Sequence, residues 1–162
     1  MLATPESLQL WRQVVPAEWI DYNGHLTEGY YGVAFADASD ELLIHLGFGA
    51  DYRDDHGTFY TIETRIRFLM EVQEGAEIAT SSFLLGADSK RLHVHHDLLV
   101  NQNLSPVATQ EVMLLHVSQD PVGQPRVSPM AEPLLTNALE LAEAHALIPL
   151  PEHAGQGMRT LR

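Results

Sequence analysis

The sequence predicts an α+β chain: an antiparallel sheet of about five strands curled around one long central helix, with a further helix towards the C-terminal end. Three observations predict it. Residues 28–46 place apolar side chains at helical spacing. Four segments between residues 58 and 117 are rich in β-branched and aromatic residues and are separated by turn-forming clusters. A shorter strand segment precedes Pro16. Helices segregated to one side of antiparallel strands define the α+β class. With 162 residues, 45% hydrophobic and 19% charged, the chain is long enough and apolar enough for one buried core.

In chain order, Leu8 to Val15 reads as the first strand, ended by Pro16, which cannot donate to a ladder. Asp21 to Gly24 is turn chemistry, because Asn and Gly tolerate positive φ. Tyr31, Ala34, Phe35, Ala38, Leu42 and Leu46 then form one helical stripe. Thr27 stands at the N-cap and Gly47 at the C-terminal stop. Phe48 to Gly57 reads as a loop. Thr58 to Met70 reads as a strand with Tyr60, Ile62, Thr64, Ile66 and Phe68 on one face. Phe59, Thr61, Glu63, Arg65 and Arg67 share the other face. Ala76 to Leu85, Arg91 to Val100 and Val107 to Val117 complete a meander, with turns at 86–89 and 101–103. Ser118 to Met130, with three prolines and a glycine, reads as an irregular connector. A second helix begins after Pro133, with Leu135, Ala138, Leu139, Ala142 and Ala146 as its apolar stripe, and Pro149 and Pro151 stop it. Residues 1–120 are expected to form the curled-sheet domain. Residues 121–162 are expected to be a connector, helix and tail packed on the same domain.

Charge and composition exclude several functions. The formal net charge is −13 with nine Lys and Arg, too few for the basic face that nucleic acid requires. No apolar run approaches the roughly 20 residues of a membrane span. The first residues lack the basic start and apolar block of a signal peptide, so a cytoplasmic location is expected. The absence of cysteine removes disulfides, thiolate metal sites and cysteine nucleophiles. Five strands around one helix leave an open sheet edge, which dimerisation commonly covers.

The segment Trp19 to Tyr31 carries the chemistry. It sets a carboxylate (Asp21), a tight turn (Asn23, Gly24) and a histidine (His25) directly before the long helix. A carboxylate facing a helix N-terminus can attack a carbonyl or aim a water at it, while unpaired first-turn N–H groups near Glu28 and Gly29 receive the oxyanion. That is acyl-transfer geometry. Each residue also has a plainer role: Asp21 as a turn former, His25 as a packed histidine, Glu28 as a helix-dipole partner. Trp19, Tyr22, Tyr30, Tyr31 and Tyr60 supply aromatic surface for packing, for an acyl pocket or for a cation. Glu63 either pairs with an arginine or holds a polar or cationic acyl group, and Glu111 is similar. Lys90 and Arg91, with Arg65 and Arg67, either lie solvated or contact phosphates. His93-Val94-His95-His96-Asp97 matches the start of the HxHxDH metal signature of metallo-β-lactamase-like hydrolases, but Leu98 stands where its last histidine belongs. A solvated outer strand face accounts for His93 and His95, with a substrate-contacting role as the alternative, and no metal is expected.

Asp21-Tyr22-Asn23-Gly24-His25-Leu26, followed by Tyr31, resembles the D-x-x-G-H turn and helix start of the hotdog-fold acyl-CoA thioesterases, in the 4-hydroxybenzoyl-CoA thioesterase-like group. The likeness runs from about Val14 to Val117. Pro16 to His25, Tyr60 to Glu63, Ile66 to Leu69, Lys90 to His93 and Leu114 to Val117 are similar to the betainyl-CoA thioesterase type of carnitine catabolism. The resemblance implies a homodimer, or a dimer of dimers, with active sites at the subunit interface. It implies Asp21 as the catalytic carboxylate and the backbone near Glu28 as the oxyanion donor. It also implies that the 86–91 hairpin, with Lys90 and Arg91, lies near the coenzyme A arm. Thr27-Glu28 stand where many relatives carry two asparagines. The expected activity is hydrolysis of a small acyl-CoA, with coenzyme A as part of the substrate and no separate cofactor. Catalysis would use Asp21, His25 and Glu28. Trp19, Tyr22, Asn23, Gly24, Tyr31, Tyr60, Glu63, Lys90 and Arg91 would bind substrate. A hydratase or dehydratase using Asp21 with His25, and a non-catalytic acyl-CoA-binding module, are the alternatives.

Overall fold

A computed structural model describes residues 6–157 and residue 161. The elements are β1 (Arg12–Val14), α1 (Glu28–Leu46), α2 (Ala50–His56), β2 (Thr58–Phe68), β3 (Glu77–Ala87), β4 (Arg91–Val100), β5 (Ala108–Gln119), β6 (Pro125–Val127) and α3 (Leu134–His145). The antiparallel sheet runs β1-β3-β4-β5-β2, and β6 adds to β5. It curls around α1, which is the hotdog arrangement. No helix among the described residues is long and apolar enough to cross a membrane.

Helix α1 occupies the predicted span. Its C-cap, Gly47, adopts the left-handed conformation at φ 109°, which lets its N–H return to the Ile44 carbonyl. Thr27 sits at the N-cap position, but its hydroxyl makes no capping bond. Two apolar clusters fill the sheet's concave side. Tyr31, Ala34 and Phe35 of the first half of α1 pack on Ile78, Leu98 and Ala108. Leu42, Leu43 and Leu46 pack on Leu84, Leu92, Val94, Val112 and Leu114, together with Leu134 and Ala138 of α3. Between the strands and α1, His96 is fully buried between two hydroxyls, Ser39 Oγ at 3.0 Å and Ser82 Oγ at 2.7 Å. Burial, and then the nearby His95, lower its pKa to about 3, so it is neutral.

Several expectations are corrected. The strands are not a simple meander: β2 pairs with β5 at the far margin, and β1 takes the place beside β3. The linker 69–76 makes this possible by running from β2 at one margin to β3 beside the other, past the segment that leads into α1. The linker is pinned there by Leu26 N–H to the Val72 carbonyl at 2.8 Å and Gly75 N–H to the Val15 carbonyl at 2.9 Å. The first strand is three residues long, supplemented by an isolated bridge from Leu8 to Ser82. The expected loop 48–57 contains α2. The connector 118–130 contains β6.

The face assignment in β2 fails at a bulge between Thr61 and Glu63. Before it Phe59 faces the core, and after it Ile66 and Phe68 do, so the inward parity changes from odd to even. Leu139 of α3 is exposed. The helix instead buries Leu134, Ala138 and His145, and His145 Nδ1 accepts the Leu84 N–H at 2.8 Å, where β1 no longer covers β3.

The convex face is also different. His93 and His95 are not solvated; they are 1% and 0% exposed. The C-terminal segment covers them. Gly155 N–H donates to the Glu111 carboxylate, and Arg67 donates to His153 at 3.1 Å and Gln156 at 3.0 Å. Beneath this cover His93 Nε2 lies 3.6 Å from Glu111, and His95 Nε2 lies 2.8 Å from Asp97. Burial outweighs the pull of the Glu111 carboxylate and lowers the His93 pKa. Glu111 is therefore a buried anchor for the tail, not a surface acid.

Candidate active site

The segment 20–27 folds as a tight loop closed by an antiparallel bridge between Ile20 and Leu26. Asp21 N–H donates to the His25 carbonyl at 2.9 Å, and Gly24 N–H returns to the Asp21 carbonyl at 3.0 Å. Gly24 holds φ at 80°, which a side chain would strain. The Asp21 side chain completes the turn: Oδ1 accepts Asn23 N–H at 2.8 Å and His25 N–H at 3.4 Å. These bonds all fall on one oxygen. The structural and chemical roles of Asp21 are thus compatible, with Oδ1 holding the turn and Oδ2 left for a reactant.

The loop delivers the chain into α1 with its first-turn amides open. Thr27 N–H is used by the Trp19 carbonyl at 2.8 Å, and Tyr30 N–H turns back to the Thr27 carbonyl at 3.0 Å. Between them the Glu28 and Gly29 amides receive no side-chain cap. Such donors, at the positive end of a 19-residue helix, are where an oxyanion is stabilised.

A cleft of about 410 Å³ lies in front of these groups. Asp21, His25, Leu26, Glu28 and Tyr31 line one side. Phe68, Leu69, Met70 and Glu71, from the end of β2 and the linker, line the other. Tyr31 is buried and meets Phe68 edge to face at 5.0 Å. Its hydroxyl pKa is raised by burial, then by the Glu71 and Asp21 carboxylates.

Of the predicted site residues, Asp21, His25, Glu28 and Tyr31 come together in this cleft. Asn23 and Gly24 form the exposed tip of the turn. Trp19 is 9% exposed and stacks on Tyr30 at 4.9 Å, so its ring braces the helix entry. Tyr22 is 97% exposed and packs on nothing substantial in this chain. Tyr60 lines a different cleft, of about 420 Å³, with Arg53, His56 and Val117 at the other end of β2. Glu63 is exposed on the same edge strand. Lys90 and Arg91 lie at the hairpin opposite the Asp21 end of the strands. Arg91 is paired there with Asp88 at 2.6 Å. Phe68, Met70 and Glu71 were not among the predicted residues. No linear spacing ties residue 71 to residue 21; only the Leu26–Val72 bond across the fold does.

A family model described as the thioesterase-like superfamily matches residues 15–149. A betainyl-CoA thioesterase of Pseudomonas aeruginosa is 43% identical over 140 residues, covering 86% of each chain. An L-carnitine dehydrogenase/betainyl-CoA thioesterase of Agrobacterium fabrum is 45% identical over 158 residues, which cover 96% of this chain and 31% of that one. The chain thus spans about a third of the length of that relative and most of the length of the Pseudomonas one. Among solved structures, a putative thioesterase of Pseudomonas putida KT2440 superposes with a TM-score of 0.78 at 32% identity, covering 96% of this chain and 98% of that one.

Proposed function

The chain belongs to the thioesterase-like superfamily, and on that premise we propose that it hydrolyses a small acyl-CoA, betainyl-CoA foremost, to the free acid and coenzyme A. The observation that carries the proposal is the Asp21 carboxylate. One of its oxygens is spent on the turn, the other is left without a bond, and the residue lines a cleft together with Glu28, which opens α1.

In this reading the thioester carbonyl oxygen points at the Glu28 and Gly29 amides, where negative charge develops as the carbonyl carbon becomes tetrahedral. Asp21 Oδ2 then acts in one of two ways. It attacks the carbon, expelling the thiolate of coenzyme A and leaving a mixed anhydride that water cleaves. Alternatively, it takes a proton from a water that attacks in its place. Both routes need the same anion and the same oxyanion donors. His25 and Glu28, which line the same cleft, would orient water or carry a proton. The relatives' names support betaine as the acyl group, and the Agrobacterium name joins that activity to carnitine oxidation, so the reading assigns the chain to carnitine catabolism.

The reading includes a homodimer. The free edge of β2 exposes Tyr60 (47%), Ile62 (52%) and Phe68 (49%), an apolar margin of unpaired backbone. Antiparallel pairing of this edge with a second copy sets the Thr58 end of one strand against the Phe68 end of the other. That arrangement carries Tyr60 towards the partner's Asp21 cleft and leaves Glu63 at the two-fold axis, midway along the paired strands. A solution mass of a single chain would remove this part of the reading.

Thiol release from a panel of acyl-CoA esters, by the wild type and Asp21→Asn side by side, tests the activity. Turnover that collapses in the variant supports the reading. Release that is indifferent to the variant demotes Asp21 to a turn residue. Water addition to an enoyl-CoA without thiol release would replace the thioesterase with a hydratase.

A further inference from the structure

The cleft contains three carboxylates, Asp21, Glu28 and Glu71, together with one histidine and no lysine or arginine. Coenzyme A brings several negative phosphates, and they are repelled by such a lining. The cleft therefore suits the acyl end of the substrate. Its three acids have different commitments. Asp21 holds the turn with one oxygen. Glu28 sits on the first helical turn, where the open amides and the helix dipole already account for an acid. Glu71 is exposed and joins no ion pair among the described residues. It lines the same cleft as Tyr31 and Phe68.

Resting on the reading of this cleft as the acyl site of a thioesterase, we propose that Glu71 is the specificity-determining residue that selects an acyl group bearing a quaternary ammonium, with the Tyr31 and Phe68 rings as its apolar wall. A trimethylammonium group has no N–H to donate. It is held by aromatic faces and by opposite charge at contact distance, not by hydrogen bonds. The edge-to-face pair of Tyr31 and Phe68, 5.0 Å between centroids, provides the rings, and Glu71 provides the charge. A neutral acyl chain gains nothing from Glu71 and must displace the water around its carboxylate. Tyr22, Tyr60 and Glu63 are less suited to this role within one chain, because none of them lines this cleft.

The test compares two esters of the same shape and different charge: betainyl-CoA and 3,3-dimethylbutyryl-CoA, in which a carbon replaces the quaternary nitrogen. The readout is the ratio of their kcat/KM values in the wild type, Glu71→Gln and Glu71→Asp. The proposal expects a wild-type ratio well above one. It expects a fall of about ten-fold in Glu71→Gln and recovery of most of the ratio in Glu71→Asp. A ratio unchanged in Glu71→Gln, with both esters still hydrolysed, overturns the role of Glu71 and leaves the thioesterase standing. No thiol release from either ester by the wild type overturns the thioesterase reading and this one with it.

Discussion

The turn Asp21–His25 and the strand segment His93–Asp97 carry the same side-chain types, and the fold treats them in opposite ways. At the turn, a carboxylate and a histidine line a cleft, and one carboxylate oxygen is left over from the turn's own bonds. On β4, two histidines and Asp97 lie on the convex face under the C-terminal segment, with Glu111 of β5 bonded to Gly155 above them. Both segments look reactive in sequence. Only the first combines access with an uncommitted polar atom. The second is sealed from access, and its one bond to the covering chain is the Glu111 carboxylate's to the Gly155 amide.

The comparison breaks first, and with the largest effect, at Asp21. Asp21→Asn keeps the side-chain oxygen that accepts the turn amides and removes the anion. We expect kcat for thioester hydrolysis to fall by about 10²–10³-fold, the range for loss of one general base or oxyanion partner. The thermal midpoint should stay close to that of the wild type. A variant that retains activity but loses stability would make Asp21 a structural residue, like those on β4.

Glu111→Ala sharpens the other side. It removes the acceptor of the Gly155 amide and the partner of His93 in a site that is almost fully buried. Leaving buried polar groups unpaired costs about 2–4 kcal/mol, so chemical denaturation should show a loss of that size. Turnover per folded molecule should change by less than about two-fold, since such a loss is one of stability alone. A collapse of kcat at full stability would mean that the sealed face takes part in the chemistry.

The two regions also differ in how far the sequence discloses them. Asp21, His25, Glu28 and Tyr31 were legible because they lie within eleven residues of chain whose turn and helix are local. The α1 span was legible because a continuous apolar stripe ends at a glycine. Helix α2 was not, because its seven residues bury only Tyr52 and so make no stripe. Glu71 was not, because it reaches the site through a linker pinned to Leu26, and β2 pairs with β5 instead of its sequence neighbour. His93 and His95 were placed on the correct face of β4. Their burial depends on a tail some sixty residues later in the chain, which strand periodicity cannot register.

Acid extends the contrast to the interior, with the smallest effect per step. His96 is neutral between Ser39 and Ser82 and accepts a proton in the folded chain only near pH 3. In the unfolded chain a histidine takes one up near pH 6.5. Between those values the unfolded state binds the extra proton, so stability is fully present above about pH 6.5 and is lost as pH falls towards 3. The slope is about 1.4 kcal/mol per pH unit for each such histidine. Burial lowers the pKa of His93, His116 and His145 in the same sense, and each adds to the slope until its own folded pKa is reached. Urea unfolding from pH 7.5 to 5 should therefore show a steep fall. His96→Gln, which keeps hydrogen-bonding capacity between the two serines and cannot titrate, should reduce the slope by about one proton. Parallel curves for the two proteins would mean that His96 is already charged in the folded state. The concave core would then not be the dry, neutral layer that its hydrogen bonds describe.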